Sequence, residues 1–170
     1  ASVSAQGVND FVITNFDARY ELSNQDPQGF MFVTEKIDLN YSGQNRGIIR
    51  AIPNTYKDNN LNTTVKNVLR DNKSEPFITY KENDNLIIRI GDPEVYITGN
   101  HSYQITYSLE NVITFYNDHD ELYWDVNGDQ WGQSFESVVA SVDSNAPQSP
   151  IVTPTCFSGI YGGSGQNCEV

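Results

Sequence analysis

Strict alternation of polar and apolar side chains runs through Ser102-Tyr103-Gln104-Ile105-Thr106-Tyr107-Ser108-Leu109. A two-residue period places successive side chains on opposite faces of a strand, so this stretch predicts a strand with one buried face and one wet face. It is the clearest strand signal in the 170 residues. We therefore expect the fold to be built from strands.

The same period recurs on both sides of this stretch. Further strands are predicted at residues 12–22, 31–41, 65–70, 77–81, 86–90 and 135–142. In the first of them the period assigns Val12 to the same inward face as Phe16. Gly43, Gly47 and Pro53 are typical of a loop, predicted here over residues 42–63.

Many short strands separated by turn signals indicate an all-β chain folded as an antiparallel β-sandwich, immunoglobulin-like or related. Only residues 112–126 have an apolar spacing that would suit a short helical turn. The side chains expected to face inward are Phe16, Tyr20, Val33, Ile37, Leu39, Ile105, Tyr107, Trp124 and Val139.

Composition divides the chain into three parts. Residues 1–8 are expected to form a disordered N-terminal segment, and residues 9–142 the sandwich domain. Residues 143–170 are rich in Pro and Gly, which predicts a linker followed by an irregular, Cys-bounded loop.

Net charge excludes two classes of partner. With 10 Lys and Arg against 22 Asp and Glu, the formal charge is −12. Such an acidic chain is a poor ligand for nucleic acid or for an anionic lipid surface, both of which attract clustered Lys and Arg. The sequence also lacks a G-x-S-x-G elbow and phosphate-binding glycine motifs, so we expect neither a catalytic residue nor a cofactor.

Both cysteines of the chain, Cys156 and Cys168, lie near its C-terminal end. The Gly-rich segment between them can turn back on itself, so the two residues are predicted to form a disulfide. A disulfide is typical of an oxidising compartment outside the cytoplasm.

Glu35 shares a strand face with apolar residues, and Arg50 lies in the apolar segment 47–53. A buried charge needs a partner, so the two are predicted to form a structural ion pair. Two alternatives stay open at this point. The pair could belong to a binding site, or a period displaced by one residue would turn Glu35 toward water.

Trp124 and Trp131 flank Asn127-Gly128, the dipeptide preferred in tight hairpin turns. The Trp side chains are predicted to anchor that hairpin to the core, and the alternative is an exposed platform that stacks on sugars. The acidic stretch 117–121 could ligate a hard cation, and Asp125, Asn127, Asp129 and Glu136 imitate a calcium loop in part, but Gln130 stands where that loop needs Gly. A solvated loop without a metal is the favoured interpretation.

Three segments carry a family resemblance: Val33-Thr34-Glu35 with Ile37, Gly47-Ile48-Ile49-Arg50 with Ile52-Pro53, and Asp120-Glu121-Leu122-Tyr123-Trp124 with Gly128 and Trp131. Together they resemble the N-terminal domain of the predicted membrane proteins catalogued as domain of unknown function 2207. The resemblance implies a secreted or surface-facing sandwich, preceded by a signal sequence and followed by membrane helices. It implies no catalytic residue, because the activity of that family is unknown.

The leading functional hypothesis is therefore an extracytoplasmic, non-enzymatic binding or interaction domain of a membrane-anchored protein. Its ligand would be an unknown protein or glycan at the cell surface. One alternative is a carbohydrate-binding module, for which the Tyr and Trp side chains would supply stacking surfaces. Another is a hydrolase that uses Asp118 or Glu121 together with Asp125 as a carboxylate pair.

Overall fold

The computed structural model describes residues 10–23, 28–145, 153–159, 165 and 167–170. These residues form strands and connecting loops, and none of them is helical. The strands are β1 (Phe11–Ser23), β2 (Phe30–Asn45), β3 (Ile48–Pro53), β4 (Thr55–Tyr56), β5 (Asn59–Asn60), β6 (Thr64–Arg70), β7 (Lys73–Ser74), β8 (Phe77–Glu82), β9 (Asn85–Ile90), β10 (Ile97–Leu109), β11 (Ile113–Phe115), β12 (Asp120–Leu122) and β13 (Val138–Ser144).

Two sheets account for most of these strands. The large sheet has the order β13-β1-β2-β10-β6-β7, and the small sheet has the order β3-β9-β8. The remaining strands form two short hairpins, β4-β5 and β11-β12. Neighbouring strands are antiparallel except β1 and β13, which run parallel from the pair Phe16 and Val138 to the pair Leu22 and Ser144.

The two sheets share one hydrophobic core. Ile48, Ile52, Ile88 and Ile90 of the small sheet join the buried side chains of β1, β2 and β10 in a single cluster. The predicted all-β antiparallel sandwich is thus confirmed. Of the side chains predicted to face inward, seven are fully buried: Phe16, Tyr20, Val33, Ile37, Leu39, Ile105 and Tyr107.

A β-bulge corrects the predicted face of the first strand. The pairing of β1 with β2 shifts between Ile13 and Asn15, which inserts one extra residue into β1. Phe11 and Ile13 are consequently buried, whereas Val12 is 37% exposed. The period used for residues 16–22 therefore does not extend back to Val12.

The loop predicted over residues 42–63 is also wrong, because it contains a buried strand. β3 pairs along its whole length with β9 and supplies the second layer of the sandwich. Gly47 marks its start: a Cβ there would lie 1.8 Å from the carbonyl oxygen of Ile90, so only Gly permits the approach. Glycine thus signals close strand contact here and not a loop.

Two predictions fail toward the C-terminal end of the sandwich. Residues 112–126 form the short hairpin β11-β12 and no helical turn. Val139 is 50% exposed. It lies in β13, the outermost strand of the large sheet, where Val138 and Val142 are exposed as well, so neither face of this strand is covered. The strand itself ends at Ser144, and the predicted disordered segment 1–8 lies outside the described residues.

Candidate functional site

A buried ion pair joins the two sheets at the centre of the sandwich. Glu35 lies in β2 of the large sheet, and Arg50 lies in β3 of the small sheet. Nε of Arg50 donates to Oε2 of Glu35 over 2.9 Å, and Nη2 donates to Oε1 over 2.7 Å. This two-pronged geometry is the strongest form of an Arg–carboxylate contact. Both residues are buried, at 0% and 2% exposure, so the pair is shielded from water.

Further hydrogen bonds complete the network around this pair. The hydroxyl of Tyr107 donates to Oε1 of Glu35 over 2.6 Å. Nη1 of Arg50 donates to the carbonyls of Ala51 and Asn127 over 3.0 and 2.9 Å. Buried charges are tolerated where their remaining donors and acceptors are satisfied, and this network meets that requirement.

Two aromatic rings lie near the Arg50 guanidinium. Its central carbon is 5.6 Å from the ring centroid of Phe16 and 5.9 Å from that of Trp131. Cations at such distances are attracted to the faces of aromatic rings. Arg50 therefore contacts the large sheet through Glu35 and Phe16. Through Trp131 it also contacts the loop that follows β12.

Burial and the charges of the ion pair together shift the pKa values of Arg50 and the neighbouring phenols. Burial alone would lower the pKa of Arg50, but the adjacent Glu35 carboxylate outweighs burial and raises it. Burial, followed by the charge of Glu35, raises the pKa of the Tyr20 and Tyr107 phenols well above the usual range. Both phenols stay neutral and keep their protons, so they act as hydrogen-bond donors.

The segment from Trp124 to Trp131, here called the Trp loop, is held to the core by its backbone. The hydroxyl of Tyr20 donates to the carbonyl of Val126 over 3.1 Å. The carbonyl of Asn127 accepts from Arg50 and, over 2.7 Å, from Nε1 of Trp131. The Trp loop is thus fastened to the same residues that join the sheets.

Gly128 allows the Trp loop to approach Arg50. Its φ of +76° lies in the left-handed region that favours Gly. A Cβ at this position would lie 2.7 Å from Nη1 of Arg50. The predicted tight hairpin at Asn127-Gly128 is wrong, because no strand flanks this dipeptide among residues 123–137. Close contact with Arg50, and not hairpin geometry, explains the glycine.

Both Trp side chains are half-buried and pack against the core. Trp124 lies edge-on to Tyr20, with ring centroids 6.5 Å apart, and Trp131 lies edge-on to Phe135 at 5.8 Å. An exposed sugar-stacking platform would need free ring faces. The packing of the two Trp rings therefore gives no support to the carbohydrate-binding alternative.

The acidic stretch near β12 does not form a buried carboxylate pair. Asp118 is 86% exposed, and a hydrogen bond with His119 lowers the pKa of its carboxyl. A general acid in a glycosidase needs the opposite shift, a raised pKa. Within the described residues no group of three or more His, Cys, Asp or Glu side chains is arranged to hold a metal ion.

An exposed apolar surface covers the outward side of the small sheet. Here it is called the outer face, and it comprises Ile49, Ala51, Ile78, Tyr80, Ile87 and Arg89, of which Ala51 and Ile87 are buried, at 8% and 7% exposure. Ile49, Arg89 and Ile78 form one cross-strand row, and Ala51, Ile87 and Tyr80 form the next. Ile49, Ile78 and Tyr80 are 55%, 50% and 40% exposed. These three exposed apolar side chains lie around the exposed side chain of Arg89, and grouped apolar exposure is typical of interaction sites.

Sequence reasoning missed two parts of this arrangement. It assigned Tyr20 and Tyr107 to the core without seeing that their hydroxyls would complete the network. The alternation of residues 102–109 showed that Tyr107 is buried, but only the pairing of β10 with β2 places its hydroxyl beside Glu35. It missed the outer face because residues 42–63 were interpreted as a loop, which left Ile49 without a sheet.

At the C-terminal end, Cys156 and Cys168 form the predicted disulfide, with their Cα atoms 6.1 Å apart. The amide of Ser158 donates to the carbonyl of Gly165 over 2.7 Å within the same ring. The described residues of this ring lie outside the sheets and have no further strand pairing. The disulfide therefore shapes an irregular loop, as predicted.

The family model for the N-terminal domain of a predicted membrane protein, DUF2207, matches residues 12–155. That match covers both sheets, the ion pair and the Trp loop. The chain belongs to the DUF2207 family. Within the described residues of this DUF2207 domain, no helix is long and apolar enough to cross a membrane. A search of curated proteins finds no match.

Two solved yeast structures share the fold at low sequence identity. Native yeast LTA4 hydrolase aligns with a TM-score of 0.54 and 13% identity over 81% of this chain and 23% of its own. A second native structure of leukotriene A4 hydrolase, from Saccharomyces cerevisiae, aligns at 0.50 and 15% over 81% and 24%. An M1 zinc metallopeptidase from Deinococcus radiodurans aligns at 0.44 and 7% over 61% and 21%. The chain spans less than a quarter of the length of these proteins, and the likeness to the yeast structures is one of fold alone.

Proposed function

We propose that this DUF2207 domain is the extracytoplasmic part of a membrane-anchored protein and that it acts there by binding a partner at the cell surface. The outer face of the small sheet carries the binding part of this proposal. Ile49, Ile78 and Tyr80 of this face are exposed to solvent. One face of an antiparallel sheet is commonly solvated, but that face usually carries polar side chains. A partner that covers the outer face would remove this apolar area from water.

Placement outside the cytoplasm is supported by the disulfide between Cys156 and Cys168. Disulfides persist in oxidising compartments and are rare where glutathione and thioredoxin keep thiols reduced. The family description, a predicted membrane protein, supports anchoring. The proposal therefore places a rigid sandwich at the outer surface of a membrane, with its outer face available to a protein or glycan.

The buried ion pair has a supporting role in this function. Arg50 follows Ile49 directly in β3, and its side chain points into the sandwich while that of Ile49 points outward. The contact of Arg50 with Glu35 therefore fixes the position of the strand that displays Ile49. The small sheet is held at one place on the large sheet, so its outer face is a preformed surface.

Placement is tested by labelling the full-length protein in intact cells of its host. Val95→Cys introduces a thiol at an exposed loop position, and the wild-type protein, whose Cys156 and Cys168 are bonded to each other, is the control. A membrane-impermeant maleimide is expected to label the variant in intact cells to the same extent as in lysed cells. Labelling of the variant only after lysis would contradict the proposal.

Binding by the outer face is tested with Ile78→Ser and with Val139→Ser as the matched control. Both positions are apolar and 50% exposed, but Val139 lies in β13, the outermost strand of the large sheet, and not on the outer face. We expect chemical cross-linking in cells to trap complexes of the full-length wild type and of Val139→Ser, and at least threefold fewer of Ile78→Ser. Equal yields for all three proteins would contradict the role of the outer face.

A further inference from the structure

β8 is an edge strand of the small sheet. The N–H and C=O groups of its successive residues point alternately toward β9 and away from β9. Asn83 and Asp84 have φ values of 47° and 60°, as in a two-residue type I′ hairpin turn, which makes Glu82 and Asn85 a hydrogen-bonded pair. Two residues per period then turn the N–H and C=O groups of Ile78 and Tyr80 toward β9 as well. The bond from the amide of Gly91 to the carbonyl of Pro76 fits the same alternation.

The backbone groups of Phe77, Thr79 and Lys81 consequently point away from β9. β8 has no other neighbouring strand among the described residues, so these N–H and C=O groups face solvent. Its pairing with β9 has no bulge. A regular, exposed edge of this kind is a template for another strand, because each unpaired group can bond to an incoming backbone.

The β8-β9 hairpin is formally neutral, although the chain as a whole is acidic, so two hairpins can approach each other without net repulsion. Residues 90–170 contain 11 Asp and Glu and no Lys or Arg. By contrast, residues 77–90 contain Lys81 and Arg89 against Glu82 and Asp84 and are formally neutral. Neither Lys81 nor Arg89 forms an ion pair with another described residue.

We propose that β8 pairs antiparallel with β8 of a second copy, so that two small sheets become one continuous sheet. The inference rests on the proposed binding role and names its partner. The register is fixed by the outward-pointing groups. With Thr79 opposite its own counterpart, Phe77 lies opposite Lys81 of the second copy, and all three outward-pointing residues bond. A register displaced by one residue places all three opposite residues whose groups point toward β9, and a register displaced by two leaves Phe77 or Lys81 without a partner in β8.

Side chains agree with this register. On the outer face, Ile78 of one copy lies opposite Tyr80 of the other, which pairs two half-exposed apolar side chains across the junction. On the other face, the Lys81 ammonium lies opposite the Phe77 ring, a favourable cation–aromatic pairing. No like charges stand opposite each other in β8, so a Lys that would usually discourage edge pairing is accommodated.

Cross-linking of the full-length protein in its membrane tests the register directly. In a hydrogen-bonded antiparallel pair the opposed Cα atoms are about 5.5 Å apart, within the range that a disulfide bridges. Thr79→Cys is therefore expected to form covalent dimers under mild oxidation. Glu82→Cys is the matched control: it lies three residues further on, about 20 Å from its counterpart, and should remain monomeric on a non-reducing gel.

Thr79→Pro provides a second test that does not need a new cysteine. Its missing N–H is one that β9 does not use, so the sandwich should fold, whereas the bond at the centre of the junction is lost. Thr79→Val keeps the N–H and serves as control. We expect dimerisation in sedimentation equilibrium to weaken at least tenfold for Thr79→Pro and less than threefold for Thr79→Val. A wild type that stays monomeric in its membrane and in solution would overturn the inference.

The two proposals fail in different ways. If Thr79→Cys forms no dimers while Ile78→Ser still loses its complexes in cells, the binding role stands and a second copy is not the partner. If neither variant differs from its control, both proposals are wrong. Dimers of Thr79→Cys that Glu82→Cys forms equally well would indicate random collision and overturn the register.

Discussion

Removal of the Arg50 side chain should strongly destabilise the sandwich. In Arg50→Ala, Glu35 loses the two bonds of 2.9 and 2.7 Å that neutralise it and keeps only the hydroxyl of Tyr107. The carbonyls of Ala51 and Asn127 lose the bonds from Arg50 as well, although that of Asn127 keeps the bond from Nε1 of Trp131. The variant thus leaves a charge in a site with 0% exposure.

The expected loss follows from that count. Breaking a buried ion pair by removing one partner costs about 3–5 kcal/mol, mostly because the other charge is left uncompensated. The free energy of unfolding of a domain is on the order of 5–15 kcal/mol, so the loss is a large fraction of the whole. For a chain of this size, 1 kcal/mol corresponds to about 2–4 °C, and the melting temperature should fall by roughly 6–20 °C.

Urea titration followed by tryptophan fluorescence measures this loss, because Trp131 lies beside Arg50. Arg19→Ala is the matched control, since Arg19 forms exposed ion pairs with Glu21 and Asp143 and should contribute at most about 1 kcal/mol. A double variant, Glu35→Leu with Arg50→Met, replaces both charges by apolar groups. It should be markedly more stable than Arg50→Ala.

Two results would refute the reasoning. If Arg50→Ala loses no more stability than Arg19→Ala, the ion pair does not hold the sheets together. If the double variant is no more stable than Arg50→Ala, the loss in the single variant does not come from the unpaired carboxylate of Glu35.

Three further predictions address the Trp loop, the alkaline limit and the disulfide. Gly128→Ala should lower the free energy of unfolding by about 1–3 kcal/mol, because its positive φ and the contact with Arg50 are both strained by a Cβ; urea titration measures this, and an unchanged midpoint would show that the loop shifts freely. Burial raises the pKa of Tyr103 from 10.0 to about 12, so the folded state binds the proton more tightly and stability should fall as pH rises from 10 toward 12; Tyr103→Phe should flatten that fall, and equal slopes would exclude Tyr103 as its source. Intact mass after treatment with an alkylating reagent should change only when a reductant is present, since Cys156 and Cys168 are bonded; alkylation without reductant would show free thiols.

The sequence predicted the features that depend on local period and on the cost of burying charge. Glu35 occurs at the third place of a strand face whose other side chains are apolar, so burial of that face requires a partner for its charge. Arg50 was identified for the same reason. Both arguments use only the residue types within a few positions of each other.

The parts that were not predicted depend on contacts between distant segments. A single bulge in β1 reverses the face of Val12, and nothing in residues 11–15 marks the extra residue. β3 has apolar side chains on both faces, so it lacks the alternation that identifies a strand. The exposure of Val139 depends on β13 being the outermost strand, which is decided by its pairing with β1 at the other end of the chain.

The parallel pairing of β1 with β13 has a mechanical consequence. The chain enters β1 at Phe11 and leaves β13 at Ser144, beside Leu22 at the far end of β1. A force that pulled residues 10 and 145 apart would therefore slide the two strands along each other. All the hydrogen bonds that join residues 16–22 of β1 to β13 would then be loaded at the same time. In an antiparallel pair pulled from one end, the bonds would instead break one after another. The hydrogen bonds between β1 and β13 therefore resist a force applied to the two ends of the sandwich.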